Sequence, residues 1–362
     1  MVRANASPVR KLNPPPRQTV RLAARTEAIQ VPSDLAARPA MQKMMTTLAV
    51  DFGGRRIKLG LMEDGAVRAQ QVLPARAEVP LPMRLSAVAT ALRDLCQQHA
   101  LRPESCAGIG LAYPSIIDTE HARILDHFGK FGDASACDLH AWARAEFGLP
   151  LAIDNDARTA LICEWRHGAG RGCANVATIT FGTGLGTAVV GEGRVLRGVH
   201  GQAGILGGHL TVRYGGRACV CGNVGCAEAE ASTWALAQLA PERPDFAGSA
   251  LAGEAEADFA AVFRLAASGD ACARGLRDHA LQVWSALAVS LIHAYDPERL
   301  VLGGGVMASR DIILPAIHEH VERHAHTPWG KVRVVAGELG GHAALLGCEW
   351  LVREQILRSQ TK

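Results

Sequence analysis

The chain has 362 residues, 48% of them hydrophobic and 20% charged, which is enough apolar matter for a substantial core and excludes global disorder. That length fits two ordinary domains or one large α/β unit with a cleft, and no window approaches the roughly 18 uninterrupted apolar residues of a membrane span. The net charge of +3 is uneven: residues 1–44 carry eight Lys/Arg against Glu27 and Asp34, leaving 30 basic against 33 acidic in the rest, a balance that gives no reason to expect a nucleic-acid groove.

Residues 1–44 contain Pro8, the run Pro14-Pro15-Pro16, Pro32 and Pro39 without sustained periodicity, and read as a disordered basic leader with a helical turn near 22–29. No apolar h-region marks a secretory signal; an Arg-rich organellar transit peptide stays open, and cytoplasm is the expected address. Order is expected from Thr46. A short apolar run over 47–51 ends at Gly53-Gly54, a strand follows over 57–62, Glu63-Asp64-Gly65 makes a hairpin turn, and 66–73 returns. Leu85, Val88, Leu92 and Leu95 carry helical spacing within 81–99, while 107–111 and 151–153 read as short buried strands.

The same grammar restarts near Asn175. A strand over 176–181 meets Gly182-Thr183-Gly184-Leu185-Gly186, continues over 187–190, turns at Gly191-Glu192-Gly193 and returns over 194–196. Late in the chain a strand over 300–302 enters Gly303-Gly304-Gly305 and a helical stretch, and 340–356 reads as a final helix. Two such units, each followed by helices, predict a duplicated α/β architecture with a cleft.

The Gly-rich turns carry chemistry at three places. Asp51-Phe52-Gly53-Gly54 ends a strand, where backbone N–H groups can face an anion and a carboxylate can hold Mg²⁺ through water; an ordinary turn would have the same residues. Gly182, Thr183 and Gly184 supply small residues and a hydroxyl suited to phosphate oxygens, or simply a tight hairpin. Gly303, Gly304 and Gly305 place backbone N–H groups before a helix, without the Lys of a P-loop or a dinucleotide fingerprint. Their order, one per half and a third past the last major strand, suggests a nucleotide cleft built from two lobes.

Seven of the ten cysteines are scattered and read as buried small hydrophobes in a reducing compartment. The others form His209-x9-Cys219-x-Cys221-Gly-x2-Gly-Cys226, three thiolates and one imidazole, the donor set of a closed structural Zn²⁺ site. With no vacant coordination position, such a site would pin a loop rather than activate water, turning neighbours such as Glu228 toward the cleft. Asp154-Asn155-Asp156 follows a short strand and opens a helix, so a carboxylate there could accept a substrate proton, or merely cap the helix. Asp154 is the expected cap and Asp156 the expected functional group.

With these pieces in order, the chain resembles the ROK family of bacterial sugar kinases and sugar-sensing regulators over about residues 46–347. The resemblance rests on Asp51-x-Gly-Gly, Asn155-Asp156-Ala157, the 181–187 turn, Gly208-His209, Cys-x-Cys-Gly-x2-Gly-Cys-x-Glu ending at Glu228, and Leu302-Gly303-Gly304-Gly305. It implies a two-lobed actin/hexokinase-like ATPase fold of duplicated ribonuclease H-like domains with an interdomain cleft. The lobes would span 45–160 and 161–344, with helix 345–362 packed back on the first. Asp156 would be the catalytic base; Asn155, His209 and Glu228 would bind sugar; His209 would also join the three cysteines on zinc.

The implied reaction is phosphoryl transfer from ATP–Mg²⁺ to a hydroxyl of a hexose or N-acetylhexosamine, by a homodimer that contacts neither membrane nor nucleic acid. Two positions depart from the family pattern: Arg55 stands where a Thr usually follows Asp-x-Gly-Gly, and Leu206 where a Glu usually binds sugar hydroxyls, with Gln202 as a substitute. The competing expectation is a weak or inactive sugar-binding regulator. Residues 1–44 are too few and too Pro-rich for the winged helix–turn–helix of a ROK repressor.

Overall fold

Alternation of side chains along the strands decides which helices cover each sheet. The computed structural model describes residues 45–126 and 130–360; the basic leader and its turn at 22–29 lie outside them. β1 (Thr46–Phe52) is buried throughout, with Leu48, Val50 and Phe52 entering one core and Ala49 another. β2 (Arg56–Glu63) and β3 (Ala66–Pro74) pair antiparallel through a turn in which Asp64 and Gly65 have φ of 51° and 79°. Positive φ at both central residues is the hairpin geometry whose twist matches its strands.

α1 (Leu81–Gln98) buries Leu85, Val88, Leu92 and Leu95 as its spacing predicts. β4 (Ile109–Tyr113) begins two residues beyond the expected start, because its ladder with β1 opens at the Leu48–Ile109 pair. A small hairpin of β5 (Ile117–Asp118) and β6 (Arg123–Ile124) precedes α2 (Leu139–Phe147), capped by Asp138 and stopped at Gly148. β7 (Leu151–Asn155) completes a sheet of order β3-β2-β1-β4-β7.

α3 (Asp156–His167) leads to the second sheet. β8 (Val176–Phe181), β9 (Leu185–Gly191) and β10 (Arg194–Val195) repeat the antiparallel trio, with Glu192 and Gly193 again at positive φ in the hairpin. After α4 (Ala227–Ala231), α5 (Thr233–Leu239), α6 (Phe259–Ala267) and α7 (Ala271–Tyr295) comes β11 (Arg299–Gly303). α8 (Arg310–His324), β12 (Arg333–Ala336) and α9 (Ala343–Gln360) follow. The order β10-β9-β8-β11-β12 reproduces the first sheet strand for strand, so the predicted duplication is a duplication of topology.

Two helices exchange sheets. α3 leaves the last strand of the first sheet, and its Leu161 and Trp165 pack with Val176, Ala188, Val190 and Val301 of the second. α9 leaves the last strand of the second, and its Leu345 and Cys348 pack with Ala49, Met62 and Ala112 of the first. Gln355 Nε2 also donates to Leu151 O at 3.0 Å. Burying each large apolar side chain in such a contact contributes about 2 kcal/mol. The boundary drawn between residues 160 and 161 falls inside α3, so a continuous helix links the lobes there. Of the scattered cysteines, Cys96, Cys106, Cys163, Cys173, Cys272 and Cys348 are buried and Cys137 half-buried, all as free thiols. Among the described residues no helix is long and apolar enough to cross a membrane.

Candidate active site

α3 starts directly after β7, so three consecutive residues take three different tasks. Asp154 is fully buried and accepts from Arg158 Nη1 at 2.7 Å and Arg197 Nη2 at 2.6 Å. Its expected place as helix cap belongs to Asn155, whose Oδ1 accepts from Arg158 N at 3.0 Å. The helix begins at Asp156, so only the residue just before it can reach the third N–H of the first turn. Asn155 Nδ2 donates to Ser115 O and to Asp156 Oδ1, each at 3.1 Å. A sugar hydroxyl would therefore meet this amide through the second lone pair of Oδ1.

Asp156 Oδ1 also accepts from Ala157 N at 2.8 Å, and no described residue hydrogen-bonds Oδ2. Burial raises this carboxyl, the charge of Asp51 adds to it, and Lys130 with nearby backbone N–H groups opposes; the result is pushed up to about 6. Asp51 is raised by its own burial against the pull of Lys58, its register partner on β2, whose Nζ donates to Asp51 Oδ2 at 3.2 Å and to Gly341 O at 2.9 Å. A bound divalent cation would oppose the upward push of burial and favour the charged form of such a carboxyl.

The two lobes meet on the Gly-rich turn. A Cβ on Gly54 would stand 2.8 Å from Thr183 Oγ1, and one on Gly186 would stand 2.9 Å from Ala157 Cβ, so the turn lies between the Gly53-Gly54 turn and the start of α3. Gly182 N donates to Gly184 O at 3.0 Å, which spends one expected phosphate donor inside the turn. From behind, Thr233 Oγ1 donates to Gly182 O at 2.8 Å and Trp234 N to Thr183 O at 3.1 Å.

The third glycine run continues into a 3-10 turn, Gly305–Ser309, rather than directly into an α-helix. Gly304 has φ 92°, and a side chain there would overlap the Phe181 carbonyl, so this crossing of β11 past β8 admits only glycine. Beside it lies a cavity of about 280 Å³ bounded by Arg55, Gly182, Thr183, Asp258, Gly305 and Ser309. A neighbouring cavity of about 460 Å³ is bounded by Arg55, Thr183, Trp234, Phe246, Leu251 and Glu256. Of the expected glycines only Gly182 and Gly305 border a cavity; Gly53, Gly54, Gly184, Gly303 and Gly304 border neither, Gly53 N donates to Arg56 O at 2.9 Å and Gly303 ends β11.

The metal motif converges. The ligand atoms of His209, Cys219, Cys221 and Cys226 lie within 4.8 Å of one another. A tetrahedral zinc with ordinary bond lengths has S–S edges of about 3.8 Å and S–N edges of about 3.6 Å. Cys221 Sγ and Cys226 Sγ are 3.7 Å apart, and Cys219 Sγ is 3.4 Å from His209 Nδ1, so the donors fit structural zinc in spacing as well as in chemistry. The loop closes through Gly225, at φ 74°, where a side chain would overlap the Arg213 carbonyl.

Cys226 stands at the cap of α4, which puts Glu228 in the first turn of that helix. Glu228 Oε2 accepts from Leu185 N at 2.8 Å and Oε1 from Trp234 Nε1 at 3.1 Å, tying the metal loop to the Gly-rich turn. Leu206 is half-buried and Gln202 exposed.

Sequence reasoning missed Lys58, Arg158, Arg197, Thr233 and Trp234. The hairpin register could have paired Lys58 with Asp51, and the i,i+4 spacing could have paired Arg158 with Asp154. Nothing local distinguishes Arg197 or Thr233, which arrive by tertiary packing.

The ROK family model matches residues 47–355. The glucokinase of Halalkalibacterium halodurans is 31% identical over 317 residues, which cover 85% of this chain and 95% of that protein. The glucokinase of Thermotoga maritima is 29% identical over 85% of this chain and 98% of its own length. A ROK family glucokinase from Streptomyces griseus, solved in complex with glucose and AMPPNP, has a TM-score of 0.74 at 28% identity, covering 85% of this chain and 99% of that one. With the family model matching residues 47–355, more than four fifths of its length, this chain belongs to the ROK family.

Proposed function

We propose that Asp156 is the general base with which this chain, an ATP-dependent sugar kinase by family and by its glucokinase relatives, activates a hydroxyl of a hexose. The observation that carries the assignment is the Asp156 carboxylate itself: one oxygen is fixed by two donors, the other is unengaged by described residues, and the group titrates near 6. A base poised just below neutral pH is ionised when needed yet still basic enough to take a proton.

In the reaction, Asp156 Oδ2 accepts the hydroxyl proton as the sugar oxygen bonds to the γ-phosphorus and the bond to the ADP oxygen breaks. Asp51 would hold Mg²⁺ through water. Gly53, Gly54, Gly182, Thr183, Gly184, Gly303, Gly304 and Gly305 would line the nucleotide, with its phosphates on the Gly-rich turn. Asn155, His209 and Glu228 would bind sugar, and zinc would hold the loop that carries the last two. Glucose is the first substrate to test, because the two glucokinases match 85% of this chain and at least 95% of their own lengths. The reading extends to a cytoplasmic homodimer without a nucleic-acid partner, supported by the free cysteines, the family pattern and the slightly acidic balance of residues 45–362.

The test is ADP release from ATP and Mg²⁺ against a panel of monosaccharides. The expected result is release only with a sugar present, lost in Asp156→Asn. Sugar binding without ADP release would instead favour the regulator, and activity surviving Asp156→Asn would overturn the assigned base.

A further inference from the structure

Arg55 follows the Gly53-Gly54 turn of the first lobe, yet its guanidinium engages acidic residues beyond the second sheet. Nη2 lies 3.3 Å from Glu256 Oε2 and Nη1 lies 3.9 Å from Asp258 Oδ2. Both carboxylates belong to the segment that leads into α6, and Asp258 caps that helix through Ala261 N at 2.9 Å. Arg55 borders both cavities, and Thr183, against which Gly54 packs, borders both as well. The arginine therefore spans the room beside the phosphate turn, held by partners that a polyanion could replace.

We propose that Arg55 is an exchanging phosphate ligand: it is clasped by Glu256 and Asp258 in the nucleotide-free chain and transfers to the triphosphate when ATP–Mg²⁺ enters. This inference rests on the reading of the Gly-rich turns as the triphosphate site. Exposed ion pairs are weak, and Arg55 and Glu256 keep 50% and 73% of their side-chain surface in solvent, so the clasp is easily given up. Arginine and phosphate form short, bidentate, charge-assisted hydrogen bonds that outcompete the two long, partly solvated carboxylate contacts at 3.3 and 3.9 Å. Exchange releases the link between the 53–55 turn and the 256–258 segment, so nucleotide entry and freedom of that segment are coupled. Glu256 thus sets nucleotide affinity without touching the nucleotide.

The test is direct titration of the full chain with ATP–Mg²⁺ in the absence of sugar, comparing wild type, Arg55→Ala, Glu256→Gln and the double variant, with thermal melts to confirm folding. Arg55→Ala should weaken binding about tenfold, and Glu256→Gln should tighten it about threefold. In the Arg55→Ala background, Glu256→Gln should change nothing, because the group it competes for is gone. Unchanged binding in Arg55→Ala overturns the proposal. So does equal tightening by Glu256→Gln in both backgrounds, which would reduce Glu256 to simple repulsion of the ligand. Sugar-dependent ADP release by wild type separates the two levels: its absence, with the binding cycle intact, refutes the kinase reading and leaves the exchange standing.

Discussion

Asp51 and Asp156 reach one site from the ends of different elements, and the charge of Asp51 helps lift the Asp156 carboxyl to about 6. The direction matters. A base raised above its ordinary value is protonated and inactive at low pH, so activity should climb as pH rises through that value. The profile of kcat/KM for ATP should inflect near pH 6, and kcat should inflect lower, because Mg²⁺ at Asp51 would cancel the like charge in the working complex. Asp156→Asn should lower kcat by about 10³-fold while nucleotide binding persists. A kcat/KM for ATP that is pH-independent between 5 and 8 in wild type would remove Asp156 from this role.

Glu228 serves the Gly-rich turn directly through Leu185 N and Trp234 Nε1, in addition to any bond it makes to sugar. Replacing it with Gln leaves one acceptor for two donors and turns an amide N–H₂ toward a buried N–H. Glu228→Gln should therefore raise the KM for ATP about tenfold, and that for sugar at least as much. Trp234→Phe removes only the indole donor, and its smaller effect should fall on ATP alone. Steady-state kinetics with each substrate varied separates the two.

The cysteine cluster should carry about one zinc per chain by elemental analysis. Cys221→Ser keeps the loop but replaces an exposed thiolate ligand. Because His209 and Glu228 stand on either side of this loop, metal loss should weaken sugar binding more than ATP binding, with a modest ATP effect passed through Leu185. Equal losses for both substrates would show that the metal supports the fold as a whole rather than the sugar side.

Leu206 opens the 3-10 turn Gly207–His209 and is half-buried where the family pattern places a carboxylate. Leu206→Glu should therefore lower the KM for sugar by about tenfold, with little change in melting temperature. An unchanged or higher KM would mean that the sugar of this chain is bound without that carboxylate.

The duplicated sheets and the convergence of the cysteine cluster were legible because each is written locally: apolar runs end at glycines, hairpins turn at Asp64-Gly65 and Glu192-Gly193, and the cysteine spacing names its own geometry. The role of Asp154 was misread because capping depends on which residue begins the helix, a matter of one position that composition cannot decide. The sheet exchange of α3 and α9 was only partly visible. Strand and helix periods say what is buried but not against which partner. Arg197 was invisible altogether, since its carboxylate lies 43 residues earlier in the chain.

That buried group makes the last prediction one of stability. Asp154 and Arg158 are both fully buried, and Arg158 Nη2 also donates to Gly201 O at 2.8 Å and Ala203 O at 3.2 Å. Arg158→Met would fill much of the same volume but leave those two carbonyls unanswered and Asp154 with only Arg197 and the Asn155 N–H, which donates to its Oδ1 at 2.8 Å. Removing one partner of a buried ionic group typically costs about 3–5 kcal/mol; the remaining 2.6 Å contact with Arg197 should hold the loss near the low end, about 3 kcal/mol. Chemical denaturation should show that loss as a lower midpoint at unchanged slope. Because Asn155 and Asp156 continue directly from Asp154, kcat should fall too, and Arg158→Lys, which restores the charge without the forked geometry, should recover only part of both. A variant as stable as wild type would mean that Arg197 and the Asn155 N–H suffice for Asp154 and that the loop carbonyls find water.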